Sequence, residues 1–368
     1  MAICLSHGGR TIFRTPEAPT EVLVATAGGL YSLRRQGQDT AWQVADRYLE
    51  GRHVNAIIIE PASGAIFAGM HNGGVAVSED GGRSWEYRSA GLASENVYSL
   101  NYQPGMASPV VFAGTEPANI HRSRDLGRSW ELLPTLREVP SVPRWTFPGP
   151  PHIAHVKDIV FDPGRPQTVY ASVEQGGLLK SEDSGDTWRE VRGWMELSGF
   201  YNDDPHRLII RPDDSDEMFL PTGFGLYRSH DGGETWETSW EGKGFGIGYP
   251  DLLVYHPDHE DLMFIAGGEA NPGDWLKDKG AWSKVARSRD GGDNWELLPL
   301  GRDERLQANF EAMSMAAWDG GYELFIGNTA GEVYSSSDEG ETWVRMAEGL
   351  PAVSKGDHYR MLHYAARD

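Results

Sequence analysis

Short apolar runs separated by glycine-rich and polar turns recur along the whole chain. In each period one apolar run often ends in proline, as in VNAIIIEP (54–61), and a second run with glycines follows, as in AIFAGMHNGGVAVS (65–78). A last short run begins at a tryptophan, as in WEYRS (85–89). Four short strands per period, each bounded by turn residues, predict an antiparallel four-stranded sheet for every period.

An acidic, glycine-rich stretch precedes the last run of most periods. It reads SHDGGETWE at 229–237, and five further copies place an aspartate at positions 80, 125, 183, 290 and 338. The spacing of these aspartates suits a unit of about 45 residues, the length of one propeller blade, with insertions in some units. A decayed seventh copy covers 21–42. We therefore predict one domain of seven blades over residues 1–368.

The two ends of the chain complement each other in this scheme. The first period lacks a clear inner strand, whereas the last period is followed by a spare apolar run, HYRMLHYAA, at 358–366. Pairing between them would cover two exposed sheet edges. We predict such a closure between the terminal blades, with residues 1–13 as an extra or alternative strand.

The pattern S-x-D-x-G-x-[ST]-W resembles the Asp-box, or BNR, repeat, with Asn294 replacing the Ser/Thr in the fifth copy. This family includes sialidases, xyloglucan-active glycosidases, sortilin-type receptors and a photosystem II assembly factor. The resemblance implies an all-β, seven-bladed β-propeller in which each box is a turn between the third and fourth strands, away from the substrate face. A calcium-loop interpretation fails because only one aspartate per copy is constant, and calcium needs several oxygen ligands.

Composition limits the possible partners. The formal net charge of −21 argues against nucleic acid and anionic membrane surfaces, which require basic patches. Cys4 is the single cysteine, so neither an internal disulfide nor a zinc site built from several cysteines is expected. The sequence predicts neither a signal peptide nor a membrane span. We expect a cytoplasmic protein without a nucleotide cofactor, and oligomeric state is left open.

Long connections mark one edge of the predicted blades. The stretches 134–155, 192–206 and 267–284 far exceed the usual loop of about 4–6 residues. Inner strands begin, and second strands end, on the same face of a propeller, so side chains at these positions converge. Histidines and carboxylates are frequent there. The predicted metal ligands are His53, His71, His155, His206 and His358, and the predicted catalytic residues are Glu174 or Glu311 as base, with Arg207 and Tyr249.

Several loop residues are candidates for substrate binding. Aromatic rings often line sugar-binding sites, but such rings also anchor long loops to a scaffold, and both interpretations stay open. The substrate-binding candidates are Trp145, Trp194, Tyr201, Trp275, Glu269 and Arg360.

Three functions are compatible with this pattern. The leading hypothesis is an enzyme that uses a divalent metal to hydrolyse or eliminate a small or carbohydrate-like substrate. The second is a non-catalytic binding or assembly propeller, because fold alone does not decide function. The third is a sialidase-like glycosidase, for which Arg14 in FRTP (13–16) offers a partial match to the sialidase Arg-Ile-Pro motif.

Overall fold

A computed structural model describes residues 2–38, 40–197, 203–240, 243–302 and 305–355. These residues form seven sheets, and the fold is the predicted seven-bladed β-propeller. Five sheets consist of consecutive strands, and the other two each include one strand from the N-terminal segment. The chain divides into two compact units. One takes residues 55–222 and 226–238, and the other takes 1–54, 223–225 and 239–368.

The first of these, called the four-blade unit, carries the second to fifth blades. Each blade is an antiparallel sheet whose strands lie in chain order from inside to outside. The strands are β6 His53–Ile59, β7 Ile66–His71, β8 Gly74–Ser78 and β9 Glu86–Tyr87; β10 Val97–Tyr102, β11 Val111–Thr115, β12 Ile120–Ser123 and β13 Glu131–Leu133; β14 His155–Phe161, β15 Val169–Glu174, β16 Gly177–Ser181 and β17 Arg189–Val191; β18 Ile209–Ile210, β19 Met218–Thr222, β20 Gly225–Ser229 and β21 Glu237–Thr238.

The other unit, called the three-blade unit, carries the first, sixth and seventh blades. Its strands are β1 Ala2–Leu5, β3 Glu21–Thr26, β4 Gly29–Arg34 and β5 Gln43–Tyr48; β22 Tyr249–His256, β23 His259–Gly268, β24 Lys284–Ser288 and β25 Glu296–Leu297; β2 Ile12–Arg14, β26 Phe310–Trp318, β27 Gly321–Asn328, β28 Val333–Ser336 and β29 Val344–Ala347. The seventh blade has five strands because β2 lies beside β26.

The N-terminal segment supplies strands to both terminal blades, which agrees with the prediction of an extra or alternative strand within residues 1–13. Strand β1 occupies the inner position of the first blade and runs parallel to β3, with Ala2 opposite Glu21. Strand β2 then pairs in parallel with β26 of the seventh blade, with Ile12 opposite Met315. The N-terminal segment thus joins the two blades. The predicted strand at 358–366 lies outside the described residues.

Burial explains the apolar runs. The middle strands are buried at nearly every position, as in β15 and β8, because neighbouring blades cover both of their faces. The outermost strands are short and mostly exposed. Helices are few, namely 3-10 turns at Pro134–Glu138 and Val142–Arg144, α1 at Pro272–Asp278 and α2 at Pro299–Arg302. Within the described part of the chain, no helix has the length and apolar character that a membrane crossing requires.

Each Asp box closes on itself through hydrogen bonds. In the box at 229–237, the Thr235 amide and hydroxyl donate to the two carboxylate oxygens of Asp231, and Gly233 N donates to Ser229 Oγ. The same pattern recurs in the other five boxes. Backbone and hydroxyl donors therefore occupy the carboxylate, as the turn interpretation predicts.

Three boxes are each linked to the preceding blade by a different buried arginine. Arg287 Nη1 donates 2.7 Å to the carbonyl oxygen of Glu339, the residue after the box aspartate. Arg88 and Arg122 make the equivalent bonds to Leu126 and Ser184. All three acceptor residues have positive φ, between 58° and 60°, which turns their carbonyls towards the neighbour. Each box therefore marks one blade in the sequence. The arginine–carbonyl hydrogen bonds also link adjacent blades.

Candidate functional site

In the four-blade unit, inner strands begin where second strands end, as the sequence predicts. His155 is the first residue of β14 and Glu174 is the last residue of β15, and the two are register partners. His155 Nε2 lies 2.7 Å from Glu174 Oε2, and both side chains are almost fully buried. Two residues predicted independently from neighbouring strands are thus in direct contact.

Aromatic rings and a second carboxylate hold the His155 imidazole. Tyr98 stacks on it at 3.9 Å between ring centroids, and Phe147 meets it edge-on at 5.2 Å. The other ring nitrogen, Nδ1, lies 3.9 Å from Glu116 Oε2, and Tyr98 Oη donates to the same oxygen at 3.2 Å. His155 is therefore fixed between two carboxylates, with its ring plane defined by packing.

Glu174 also belongs to a group with metal-ligand geometry. One ligand atom each from Glu174, Asp204 and His206 lies within 4.8 Å of the others, and all three residues are buried. His206 Nε2 is 3.7 Å from Asp204 Oδ2. One imidazole nitrogen and two carboxylates form a donor set that suits divalent transition metals. We call these three residues with His155 the Glu174 cluster.

Basic side chains lie beside two of the buried carboxylates in this region. Lys157 Nζ lies 3.5 Å from Glu174 Oε1, and Arg207 Nη1 lies 3.8 Å from Asp158 Oδ1. Burial raises the pKa of the Asp158 carboxyl, and the Arg207 charge opposes that shift. Four carboxylates in this region are buried, namely Glu116, Asp158, Glu174 and Asp204. An additional cation beside them would stabilise their ionised form.

The three-blade unit carries a second buried group of similar composition. Ligand atoms of His7, Asp251 and Glu311 lie within 4.8 Å of one another. Lys355 is buried with them, and its Nζ lies 3.9 Å from Asp251 Oδ2. We call these four residues the Glu311 cluster. His53, another predicted ligand, bonds through Nε2 to the Ser354 carbonyl oxygen at 2.9 Å and is not a member of that group.

A β-bulge presents the central polar residue in four inner strands. The register skips one residue in β10, β14, β22 and β26, and the skipped residues are Tyr98, Lys157, Asp251 and Glu311. A bulge re-aims a side chain that regular pairing would direct elsewhere. Gly267 accommodates one of these bulges, because a Cβ there would lie 2.0 Å from the Tyr249 carbonyl oxygen.

The other predicted residues are more widely distributed. His71 ends β7 and meets Tyr98 edge-on at 6.0 Å. Tyr249 is buried against Trp275. Glu269 is half-exposed and lies 3.5 Å from Lys284 Nζ. His358, Arg360 and Tyr201 lie outside the described residues.

The tryptophans act mainly within their loops. Trp194 and Trp275 are fully buried, and their indole N–H groups donate to nearby carbonyls. Their placement agrees with the loop-anchoring reading and leaves no face for a substrate. Trp145 is half-buried and donates to Ser141 Oγ at 2.9 Å, so part of its ring stays accessible.

Arg14 lies far from the polar end of its own blade. It pairs with Ala317 at one end of β26, whereas Glu311 lies six residues away towards the other end. At about 3.3 Å per residue this separates their backbones by roughly 20 Å. Arg14 instead forms an ion pair with Asp258. Its position does not support the sialidase-like hypothesis.

Comparisons with known proteins agree with the fold and the repeat. A family model described as the DUF6242 beta propeller domain matches residues 146–362. The xyloglucanase Xgh74A of Acetivibrio thermocellus is 27% identical over 216 residues, which cover 51% of this chain and 24% of the enzyme. The chain therefore spans about a quarter of the length of that curated relative.

Solved structures resemble the chain in fold. A crystal structure of an ancestral GH74 enzyme aligns with a TM-score of 0.61 at 14% identity, covering 90% of this chain and 40% of that chain. A structure of YCF48 bound to D1 peptide aligns with a TM-score of 0.51 at 17% identity, covering 90% and 87%. Similar propellers thus occur in enzymes and in a peptide-bound protein.

Proposed function

We propose that this chain, which belongs to the DUF6242 β-propeller domain family, is an enzyme whose four-blade unit binds a divalent metal at the Glu174 cluster. Glu174, Asp204 and His206 would hold the ion. The reaction class is hydrolysis or elimination on a small or carbohydrate-like substrate. The observation that carries this proposal is the mutual approach of three buried ligand atoms within 4.8 Å.

The electrostatics support a cation at this position. Glu116, Asp158, Glu174 and Asp204 are all buried, and buried carboxylates favour a nearby cation. A divalent ion would add positive charge there and, when bound, would polarise a carbonyl or lower the pKa of a bound water. The donor set of one imidazole and two carboxylates suits Mn²⁺, Fe²⁺ or Zn²⁺.

The remaining residues of the cluster orient the ligands and handle protons. His155 contacts Glu174 at 2.7 Å and so fixes the direction of that carboxylate. Residues that orient metal ligands typically change metal affinity when they are replaced. Because His155 also faces Glu116 at 3.9 Å, its imidazole is the group best placed to hold a proton between two carboxylates.

The substrate class rests on the similarity to a xyloglucanase, which covers about half of this chain. A carbohydrate offers hydroxyl groups to carboxylates and a face to aromatic rings. Trp145, the predicted substrate-binding tryptophan that keeps an accessible ring, fits such a ligand. Since the similarity covers 24% of that enzyme, we propose a carbohydrate as the class of substrate.

Metal analysis of protein purified without a histidine tag tests the proposal. The expected result is binding of Mn²⁺ or Zn²⁺ that falls by one ion per chain in Glu174→Gln and Asp204→Asn proteins, together with metal-dependent cleavage in an oligosaccharide panel. His230→Gln is the matched control, because His230 lies in the same unit, is half-exposed and pairs with Glu217. Metal-free protein without activity on the panel would refute the enzyme proposal and favour a binding propeller.

A further inference from the structure

We infer that the three-blade unit contains a second divalent-cation site, formed by His7, Asp251 and Glu311, which cross-links the N-terminal segment to the last two blades. His7 lies between β1 and β2, and the two carboxylates belong to the inner strands β22 and β26. The three ligand atoms lie within 4.8 Å of one another, and each residue is at most 3% exposed.

A hydrogen bond to the backbone fixes which ring nitrogen of His7 carries the proton. His7 Nδ1 lies 2.8 Å from the carbonyl oxygen of Glu311, so Nδ1 carries the proton and donates. In the neutral imidazole, Nε2 is then the nitrogen with the lone pair. Metal-binding histidines commonly donate their other ring N–H to a backbone carbonyl or carboxylate, which fixes ring orientation. His7 has this arrangement, because it donates to the backbone carbonyl oxygen of Glu311, whose side chain supplies one of the two carboxylates.

The Glu311 carboxylate is also held in place. Asn309 Nδ2 donates to Oε1 at 2.9 Å, and the backbone N–H of Lys355 donates to Oε2 at 3.1 Å. Asp251 and Glu311 are both bulge residues, so two separate strands have lost regular pairing at the point where their carboxylates approach His7. Such bulges commonly lie beside functional sites.

The donor set of this cluster suits a cation. Asp251 and Glu311 are buried carboxylates, and Lys355 Nζ already lies 3.9 Å from Asp251 Oδ2. A divalent ion with one nitrogen and two oxygen ligands would stabilise both carboxylates in their ionised form. Because its ligands come from positions 7, 251 and 311, binding would stabilise the folded state, which alone brings them together.

The two clusters can be separated by metal stoichiometry, measured by native mass spectrometry on untagged protein loaded with Mn²⁺ or Zn²⁺. The expected wild-type value is two ions per chain. Glu174→Gln protein should retain one ion, and Glu311→Gln and Asp251→Asn proteins should each lose one. Glu339→Gln, an exposed change in the same unit, should lose none.

Thermal melting supplies a second readout if the carboxylate variants fold poorly. In Glu174→Gln protein, adding the metal should raise Tm by several degrees, and the milder His7→Gln change should remove that rise. One ion that Glu174→Gln abolishes, with no effect of the metal on Tm in that variant, would overturn the second site while leaving the proposed function intact. One ion lost only in Glu311→Gln protein would do the reverse.

Discussion

His155 and Glu174 are register partners at this edge of the four-blade unit, and His155 Nε2 lies 2.7 Å from Glu174 Oε2. The contact joins the start of β14 to the end of β15. Tyr98 stacking and the nearby Glu116 leave the imidazole little freedom to turn. The direction of the Glu174 carboxylate therefore depends on His155, which need not contact a bound metal itself.

Replacing His155 should weaken metal binding without abolishing it. In His155→Gln protein the Glu174 carboxylate loses its orienting partner, and we expect metal affinity to fall about 10–100-fold. Isothermal titration calorimetry with Mn²⁺ in a Glu311→Gln background isolates this cluster. His230→Gln in the same background should leave affinity unchanged. An unchanged affinity in His155→Gln protein would contradict the assigned orienting role.

Removing the Lys355 charge should have opposite effects on the empty and loaded protein. In Lys355→Met protein, Asp251 and Glu311 lose a buried counter-charge, so Tm without metal should fall. Metal affinity should rise about tenfold, because the ammonium no longer competes with the ion for the same carboxylates. Titration in a Glu174→Gln background measures this cluster alone. Lys284→Met is the control, since Lys284 pairs with half-exposed Glu269; weaker binding in Lys355→Met protein would argue against the second site.

His121 should make the protein sensitive to moderate acid. Burial lowers the pKa of His121 to about 4, and its Nε2 accepts a hydrogen bond from Ala93 N at 3.0 Å, which requires an unprotonated nitrogen. The unfolded chain binds this proton near pH 6.5, so stability falls as pH drops from about 6.5 to about 4, by about 3 kcal/mol.

Urea denaturation across this pH range checks the His121 prediction. His121→Gln removes the titrating group, and the variant should lose most of that pH dependence, although its stability at pH 7 is expected to be lower. The exposed His259→Gln change should retain the wild-type slope. Equal slopes for His121→Gln and wild-type protein would assign the acid sensitivity to other groups.

Arg287 and Arg289 provide a matched pair for testing the arginine that fastens one Asp box to the preceding blade. Both contact Glu296, Glu339 and Glu341, but the Arg287 side chain is 1% exposed and Arg289 is 54% exposed. Only Arg287 donates to the Glu339 carbonyl oxygen. We expect Arg287→Met to lower the free energy of unfolding by about 2 kcal/mol and Arg289→Met by less than about 1 kcal/mol. Equal losses in urea denaturation would mean that the surface ion pairs dominate.

The repeat made most of the fold predictable. The Asp box identifies one turn in each blade, and the strand order follows from it because consecutive strands pair as hairpins. The ends of inner and second strands could then be placed on one edge, which correctly brought His155 and Glu174 together. Their chemical role stays a prediction, since position alone does not assign it.

Much of the detail around the two clusters could not be derived from period-two alternation. Lys157 and Asp251, which were not predicted, lie in bulges, where one extra residue shifts the alternation and changes which side chains face the cluster. The one available signal was a polar residue inside an otherwise apolar inner strand. His7 was missed for another reason, because residues 1–13 carry no copy of the repeat to index them.

The N-terminal strands also bear on the timing of folding during synthesis. Strand β2 is made before β26, yet its pairing with β26 must wait until about 300 further residues have been made. Contacts this distant in sequence form slowly and leave strand edges exposed meanwhile. Formation of the last blade is therefore expected to be a slow step in folding during synthesis. At that stage the nascent chain would depend most on chaperones.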